Sequence, residues 1–312
     1  MSIKLLTGNT SGYKTKLGEY QIINSVEWME NKGYRKHKNS IDLIVTSPPF
    51  PLNRKKSYGN LKGEKYIEWI SDFFQKCVPL LSETGSLVIE LGNAWNQASP
   101  TISTLPIEVL LKIKKDSNLH LCQELICHNP ARLPTPTQYV NVERIRLKDS
   151  WTRIWWLSKT ENPKANNRNS LLPYSKAMKN LLATGKYNSG RRPSEHVIGS
   201  KSFLTDNGGA IPASCLTNEE LDHFGSLLIS SNTKSTDPYL EYCRENSIIP
   251  HPARMQPALA TFFISLLTNE GDCVYDPFAG TNTTGYCCEK LNRRWIATEI
   301  NYDNMFPSMA RF

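Results

Sequence analysis

The chain has 312 residues, 39% of them hydrophobic and 21% charged, a balance that sustains a sizeable core and excludes disorder as the main state. Lys and Arg number 37 against 29 Asp and Glu, and the formal charge of +8 suits a polyanion such as nucleic acid, although a solvated basic face gives the same count. No stretch reaches the ~18 continuous apolar residues of a membrane span, and residues 1–20 lack the apolar centre of a secretory leader, so a soluble cytoplasmic protein is expected.

In chain order, Tyr20 to Ile23 reads as a strand, the residues around Val26 to Met29 as a short helix, and Ile41 to Val45 as a buried strand. Tyr66 to Leu81 carries apolar residues at Tyr66, Ile67, Ile70, Phe73, Phe74 and Cys77, the period of a helix lying on a sheet. Gly85 releases a strand over Ser86 to Leu91, followed by a helix at Leu105 to Ile113 and strands at Cys122 to Cys127 and Arg153 to Leu157. Trp155 and Trp156 face opposite ways on that last strand, so one belongs to the core and at most one meets a substrate.

After Lys159 the composition shifts to Ser, Asn, Thr, Gly and Pro, as expected of an inserted, loop-rich module. Regular patterning returns with a helix at Leu259 to Leu267, a strand at Cys273 to Asp276, a helix at Thr283 to Lys290 and a strand at Trp295 to Glu299. The whole reads as an α/β fold in which two stretches of one sheet, residues 1–160 and 249–312, flank a middle region at 161–248. The eight cysteines contain no C-x-x-C spacing and read as reduced structural thiols; no metal site is expected.

Two loops carry chemistry. Thr46-Ser47-Pro48-Pro49-Phe50 follows the Ile41 strand directly, and its prolines make it rigid. The same device also ends many ordinary core strands. A Ser-Pro-Pro-aromatic loop also resembles the catalytic motif of the DNA amino-methyltransferases, whose target, an exocyclic amine on a base ring, is a poor nucleophile because its lone pair is delocalised into the ring. The Ser47 hydroxyl and the Pro48 carbonyl are two acceptors for its N–H groups, Pro49 offers no competing donor, and Phe50 supplies a stacking face for a flipped base. The second loop, Asp276 to Gly285, leaves a strand and enters a helix between Gly280 and Gly285, presenting backbone N–H groups at the carboxyl edge of a sheet. Glu299 lies nineteen residues beyond Gly280, at the end of the next strand, where an acidic group is suited to accepting from ribose hydroxyls. Neither G-x-G-x-x-G nor a phosphate-binding Lys-Ser/Thr pair is present.

Several motifs in this order resemble the β-class DNA N4-cytosine methyltransferases, in particular the PvuII-type modification enzymes. They are the Ser47 loop with its extension Arg54 to Asn60, the strand Gly85 to Gly92, Trp155 to Thr160, Asp206 to Pro212, His251 to Arg254, and the Asp276 to Gly285 loop. The resemblance implies a Rossmann-like methyltransferase sheet with permuted motif order and an inserted target-recognition region. It implies S-adenosylmethionine held by Asn24, Thr46, His251, Pro252, Arg254, Asp276, Pro277, Phe278, Gly280, Thr281, Asn282, Thr283 and Glu299. Ser47, Pro48, Pro49 and Phe50 then form the catalytic loop. Arg54, Lys55, Lys56 and Tyr58 are expected to contact DNA near the flipped base, and Arg191, Arg192, His196 and Asn207 to offer donors to base edges.

Asn24 stands where the family commonly has an acidic residue that meets the adenine amine; its amide oxygen can still accept. A lone His251 is as readily a capping or core residue as part of a cofactor wall. The expected activity is methylation of cytosine N4 in duplex DNA by a monomer, with a cognate restriction endonuclease encoded nearby. Adenine-N6 methylation is the alternative within enzymes, with Ser rather than Asp at position 47 leaning towards cytosine. A non-catalytic DNA-binding regulator that retains the fold is the alternative outside them. Cytosine-C5 chemistry is excluded for want of a Pro-Cys dipeptide.

Overall fold

The computed structural model describes residues 3–6, 11–51, 61–226, 237–251 and 254–312. Twelve named strands run through the described residues: β1 (Lys4–Leu5), β2 (Ser11–Lys14), β3 (Gly18–Ile22), β4 (Ile41–Thr46), β5 (Leu81–Gly92), β6 (His120–His128), β7 (Trp151–Ser158), β8 (Gly190–Arg191), β9 (Val197–Ile198), β10 (Cys215–Leu216), β11 (Cys273–Asp276) and β12 (Arg294–Glu299). The helices are α1 (Ser25–Trp28), α2 (Tyr34–His37), α3 (Glu64–Cys77), α4 (Leu105–Ser117), α5 (Lys176–Thr184), α6 (Asn218–Ser226), α7 (Pro238–Glu245), α8 (Pro257–Leu267), α9 (Thr283–Lys290) and α10 (Met305–Met309).

Ten strands form one sheet in the order β1-β2-β3-β12-β11-β4-β5-β7-β6-β10. From β3 to β5 all neighbours are parallel, and β7 then runs antiparallel between β5 and β6. The parallel strands are buried on both faces, which is why they read as short β-branched runs rather than as alternating patterns. On one face Leu43, Val45, Val88 and Ile154 pack with Phe263 of α8 and Cys287 of α9. On the other, Ile44, Leu87 and Trp155 pack with Ile70 and Phe74 of α3 and Ile113 of α4. Each fully buried side chain of this size contributes about 1.5–3 kcal/mol.

The chain passes from β4 outward to β5 on one side, and β11, which enters 181 positions after β5 ends (273 − 92), takes the other side of β4. The boundary between β4 and β11 is therefore the switch point, where an open α/β sheet leaves a crevice at its carboxyl edge. Thr46, Gly92, Asp276 and Glu299 end their strands at that edge, and the antiparallel register Gly92↔Thr152 brings the start of β7 to the same place.

Some elements differ from expectation. The helix read to Leu81 ends at Cys77, because Pro79 cannot continue it; a 3-10 turn follows and β5 starts at Leu81 rather than Ser86. The hairpin strands β1 and β2, absent from the sequence reading, extend the sheet and bury Tyr13 against Tyr20. The middle region is not a separate body. Strand β10 pairs with β6, and Leu216, Leu221 and Phe224 join the main core, so its loop-rich part ends before residue 215. Beyond Glu299, α10 and Phe312 pack back on the sheet, with Phe312 stacked on Trp295.

Candidate active site

A cleft of about 1410 Å³ opens along the carboxyl edge and is lined by both chemical loops. Ser47, Pro48, Pro49 and Phe50 enter it from β4; Asp276, Pro277, Phe278, Gly280, Thr281, Thr283 and Glu299 enter from β11 and β12; Asn24, His251 and Arg254 complete that side. Thus residues more than 200 positions apart share one wall.

The two loops are tied at the switch point. Thr46 is fully buried and its Oγ1 donates to Asp276 Oδ1 at 2.7 Å. Asp276 also accepts from Thr284 Oγ1 at 2.6 Å and from the Phe278 N–H at 3.1 Å. Burial nonetheless pushes its carboxyl up to about 6, since those three donors only partly replace water. Thr46 does not itself line the cleft, and its role is to hold Asp276.

On the cofactor-type side, the Glu299 carboxylate accepts from the Gly280 N–H and from the Asn301 N–H, each at 2.8 Å. Each oxygen keeps a further lone pair, so the fixed carboxylate can still take hydroxyl donors. Gly280 has φ +47, a conformation that favours glycine, and its carbonyl is held by Tyr20 Oη at 2.9 Å. Arg254 shares the buried Asp237 with Arg311, at 3.5 and 3.2 Å, and two guanidinium groups on one carboxylate leave positive charge facing the cleft.

Two expected ligand residues are turned to other work. Asn282 does not line the cleft; its Oδ1 caps α9 through the Gly285 N–H, and its Nδ2 donates to Tyr13 Oη at 2.9 Å. Asn24 lines the cleft, but its Oδ1 already accepts from the Val26 and Glu27 N–H groups as the cap of α1. Both asparagines precede helices, where capping competes for the side chain. Neither Trp155 nor Trp156 lines the cleft: Trp155 is core, and Trp156 Nε1 donates to Ser86 Oγ at 2.9 Å. Trp151, at the start of β7, lines it instead.

On the catalytic-loop side, Tyr66 Oη donates to the Pro49 carbonyl at 2.7 Å and fixes that end of the loop. The Phe50 ring sits over Gly92, where a Cβ would come within 2.5 Å of its Cδ2. Glu90, near the end of β5, was not anticipated. Its carboxyl accepts from Thr152 Oγ1 at 3.0 Å, and the Ser47 hydroxyl is near enough to favour its ionised form. Burial raises its pKa above the ordinary value, while those two hydroxyls and the Arg132 charge pull it back. Cys127 also lines the cleft, but burial first and then the Glu90 charge push its thiol up to about 12, so it stays protonated.

The expected DNA contacts fall elsewhere. Arg54, Lys55, Lys56 and Tyr58, together with Pro252, lie outside the described residues. Arg191, Arg192 and His196 sit on or beside the small β8–β9 hairpin, with Arg191 paired to Glu195 at 3.1 Å, and Asn207 lies in an exposed loop held by Tyr174 Oη. None of these four lines the cleft. Among the described residues no cluster of metal ligands occurs, and no helix is long and apolar enough to cross a membrane.

The chain matches the family model described as DNA methylase, for N6/N4 methyltransferases, over residues 41–305. The Type II methyltransferase M.PvuII of Proteus hauseri is 38% identical over 307 residues, 98% of this chain and 86% of that protein. M.HpaI of Haemophilus parainfluenzae, also a Type II methyltransferase, is 27% identical across 85% of this chain and 65% of its own length. The solved structure of the cytosine-N4-specific PvuII DNA methyltransferase matches with a TM-score of 0.73 and 31% identity, over 96% of this chain and 87% of that one. With the family model matched over residues 41–305 and a relative 38% identical over 98% of this chain, the chain belongs to the N6/N4 DNA methylase family.

Proposed function

We propose that this protein transfers a methyl group from S-adenosylmethionine to N4 of a cytosine flipped out of duplex DNA at a short recognition site. It acts as the modification enzyme of a restriction–modification system, a reading supported by its likeness to Type II methyltransferases, and we propose that it does so as a monomer. The observation that carries the chemistry is that Ser47, Pro48 and half-buried Glu90 line one cleft with Glu299 and Gly280, the register Thr46↔Ile89 bringing Ser47 and Glu90 to the same level of adjacent strands.

The residues present fit the cofactor. Glu299 offers fixed acceptors for a diol, Gly280 keeps the backbone bare in a left-handed turn, and Arg254 brings positive charge for a carboxylate. When bound, S-adenosylmethionine supplies a methyl group on a sulfonium. The chain does the rest by positioning and proton handling. With the Ser47 hydrogen given to Glu90, its oxygen faces the target amine as an acceptor. The Pro48 carbonyl takes the second N–H, and the pair draws the nitrogen lone pair out of the ring. As N4 forms its new bond to carbon it gains positive charge and sheds a proton to Ser47 Oγ, whose own proton passes to Glu90. A carboxyl made more basic by burial suits that transfer.

The test is nucleoside mass spectrometry on unmethylated plasmid DNA incubated with the protein and S-adenosylmethionine. N4-methylcytosine is expected. N6-methyladenine in its place would keep the mechanism and overturn the base; no methylated base, with cofactor bound, would overturn the enzymatic reading.

A further inference from the structure

The cleft holds a donor pair that the methyl transfer does not use. The backbone after β6 is pinned where Asn129 N donates to the Ser150 carbonyl at 2.7 Å and Arg132 N to the Asn129 carbonyl at 3.2 Å. Asn129 Oδ1 accepts from the Ala131 N–H at 3.1 Å, so the group it has left to offer is its NH₂. Arg132 Nη1 donates to the Trp151 carbonyl at 3.0 Å and lies 3.8 Å from Asp149 Oδ1, while Asn93 Nδ2 holds Asp149 at 2.9 Å. Both Asn129 and Arg132 line the same cleft as Ser47 and Glu90, and the Arg132 charge acts on Glu90.

We propose that Arg132 and Asn129 form the donor wall that holds N3 and the O2 carbonyl of the flipped cytosine, and so determine which base is methylated. This rests on the cytosine reading of the same cleft. With N4 at Ser47 and Pro48, the next two atoms around a cytosine edge, N3 and O2, are both acceptors. The facing wall must therefore donate, and Arg and an amide NH₂ do so without offering a competing acceptor. Adenine with N6 in the same place presents one ring nitrogen and then a C–H, which leaves a buried donor unpaired, and an unpaired donor rejects a base more strongly than a missing apolar contact. The guanidinium is not placed for a phosphate. Asp149 stands on one side of it, and its charge acts on Glu90, so an anion there would meet two carboxylates while a neutral carbonyl does not.

The probe is a duplex carrying pyrimidin-2-one at the methylated position, once that position has been mapped on plasmid DNA. This base keeps N3 and O2 but has no amine, so it reports binding without turnover. A second duplex, abasic at that position, reports everything except the base. For the full-length Arg132→Met variant, affinity for the pyrimidinone duplex is expected to fall ~10-fold or more beyond any fall on the abasic duplex. Asn129→Asp keeps the cap on Ala131 and turns the donor into an acceptor; it is expected to show the same selective loss should the first variant fail to fold, judged by cofactor binding. Equal losses on the two duplexes, with the salt dependence reduced, would make Arg132 a phosphate contact and overturn the proposal. Failure of the unaltered protein to form N4-methylcytosine would overturn the underlying reading instead, and plasmid methylation reports that separately.

Discussion

Replacing Thr46 by Val removes one hydroxyl and nothing of the shape, and its effect on stability should depend on pH. In the folded protein Asp276 titrates at about 6, against an ordinary value of 3.8. Its pKa is raised, so the stability it confers is fully present below 3.8 and is lost as pH rises through 6. That ionisation costs about 3 kcal/mol above pH 6 even with all three donors in place. Thr46 Oγ1 is one of the three, at 2.7 Å and fully buried. A hydrogen bond to a buried charge is worth about 1.5–3 kcal/mol, whereas one to a neutral carboxyl is worth about 1 kcal/mol. Thr46→Val should therefore cost about 1.5–3 kcal/mol near pH 8 and about 1 kcal/mol near pH 5, with the Asp276 pKa rising further. Urea unfolding followed by tryptophan fluorescence, without cofactor, measures both values. Equal destabilisation at the two pH values, or none at either, would show that Asp276 is not an ionised group held by Thr46.

Ser47→Ala is expected to lower kcat by ~100-fold or more while cofactor affinity measured by calorimetry stays unchanged, because one acceptor of the reacting amine is lost; parallel losses in both would contradict that role. Glu90→Gln should lower kcat and flatten its acid limb: in the unaltered protein activity falls as pH drops through the raised pKa of Glu90, since only the carboxylate can take the proton. An unchanged profile would remove Glu90 from the proton path. Gly92→Ala places a Cβ within 2.5 Å of the Phe50 ring, so kcat/KM on DNA is expected to fall by ~10-fold with cofactor binding intact. Activity equal to that of the unaltered protein would show the ring position to be unimportant. Glu299→Ala should raise the cofactor dissociation constant by ~10-fold or more, and an unaltered constant would place Glu299 outside the site.

Where a residue's role follows from its immediate neighbours in the chain, the sequence discloses it; where the role is made by a distant partner, it does not. Strand β11 and helix α9 have the bounds read from their apolar runs, because a doubly buried parallel strand and the turn after it are written locally. Strand β2 is only Ser-Gly-Tyr-Lys, and nothing local distinguishes it from a loop; Tyr13 is core because Tyr20, Asn282 and Ser308 arrive from elsewhere. Asn24 and Asn282 show the converse, in which a family position suggests a ligand and a local capping bond engages the side-chain oxygen. Glu90 is the instructive omission. In Leu87-Val88-Ile89-Glu90-Leu91 a carboxylate interrupts an otherwise buried run, at the carboxyl end of a strand, where the cost of burying a charge demands partners. The pairing Thr46↔Ile89 puts the next residue of each strand, Ser47 and Glu90, side by side. Two adjacent parallel strands, each with a polar residue after an apolar run at the carboxyl edge, therefore already implied a hydroxyl and a carboxylate meeting at the crevice, and only the adjacency of β4 and β5 was needed to find them.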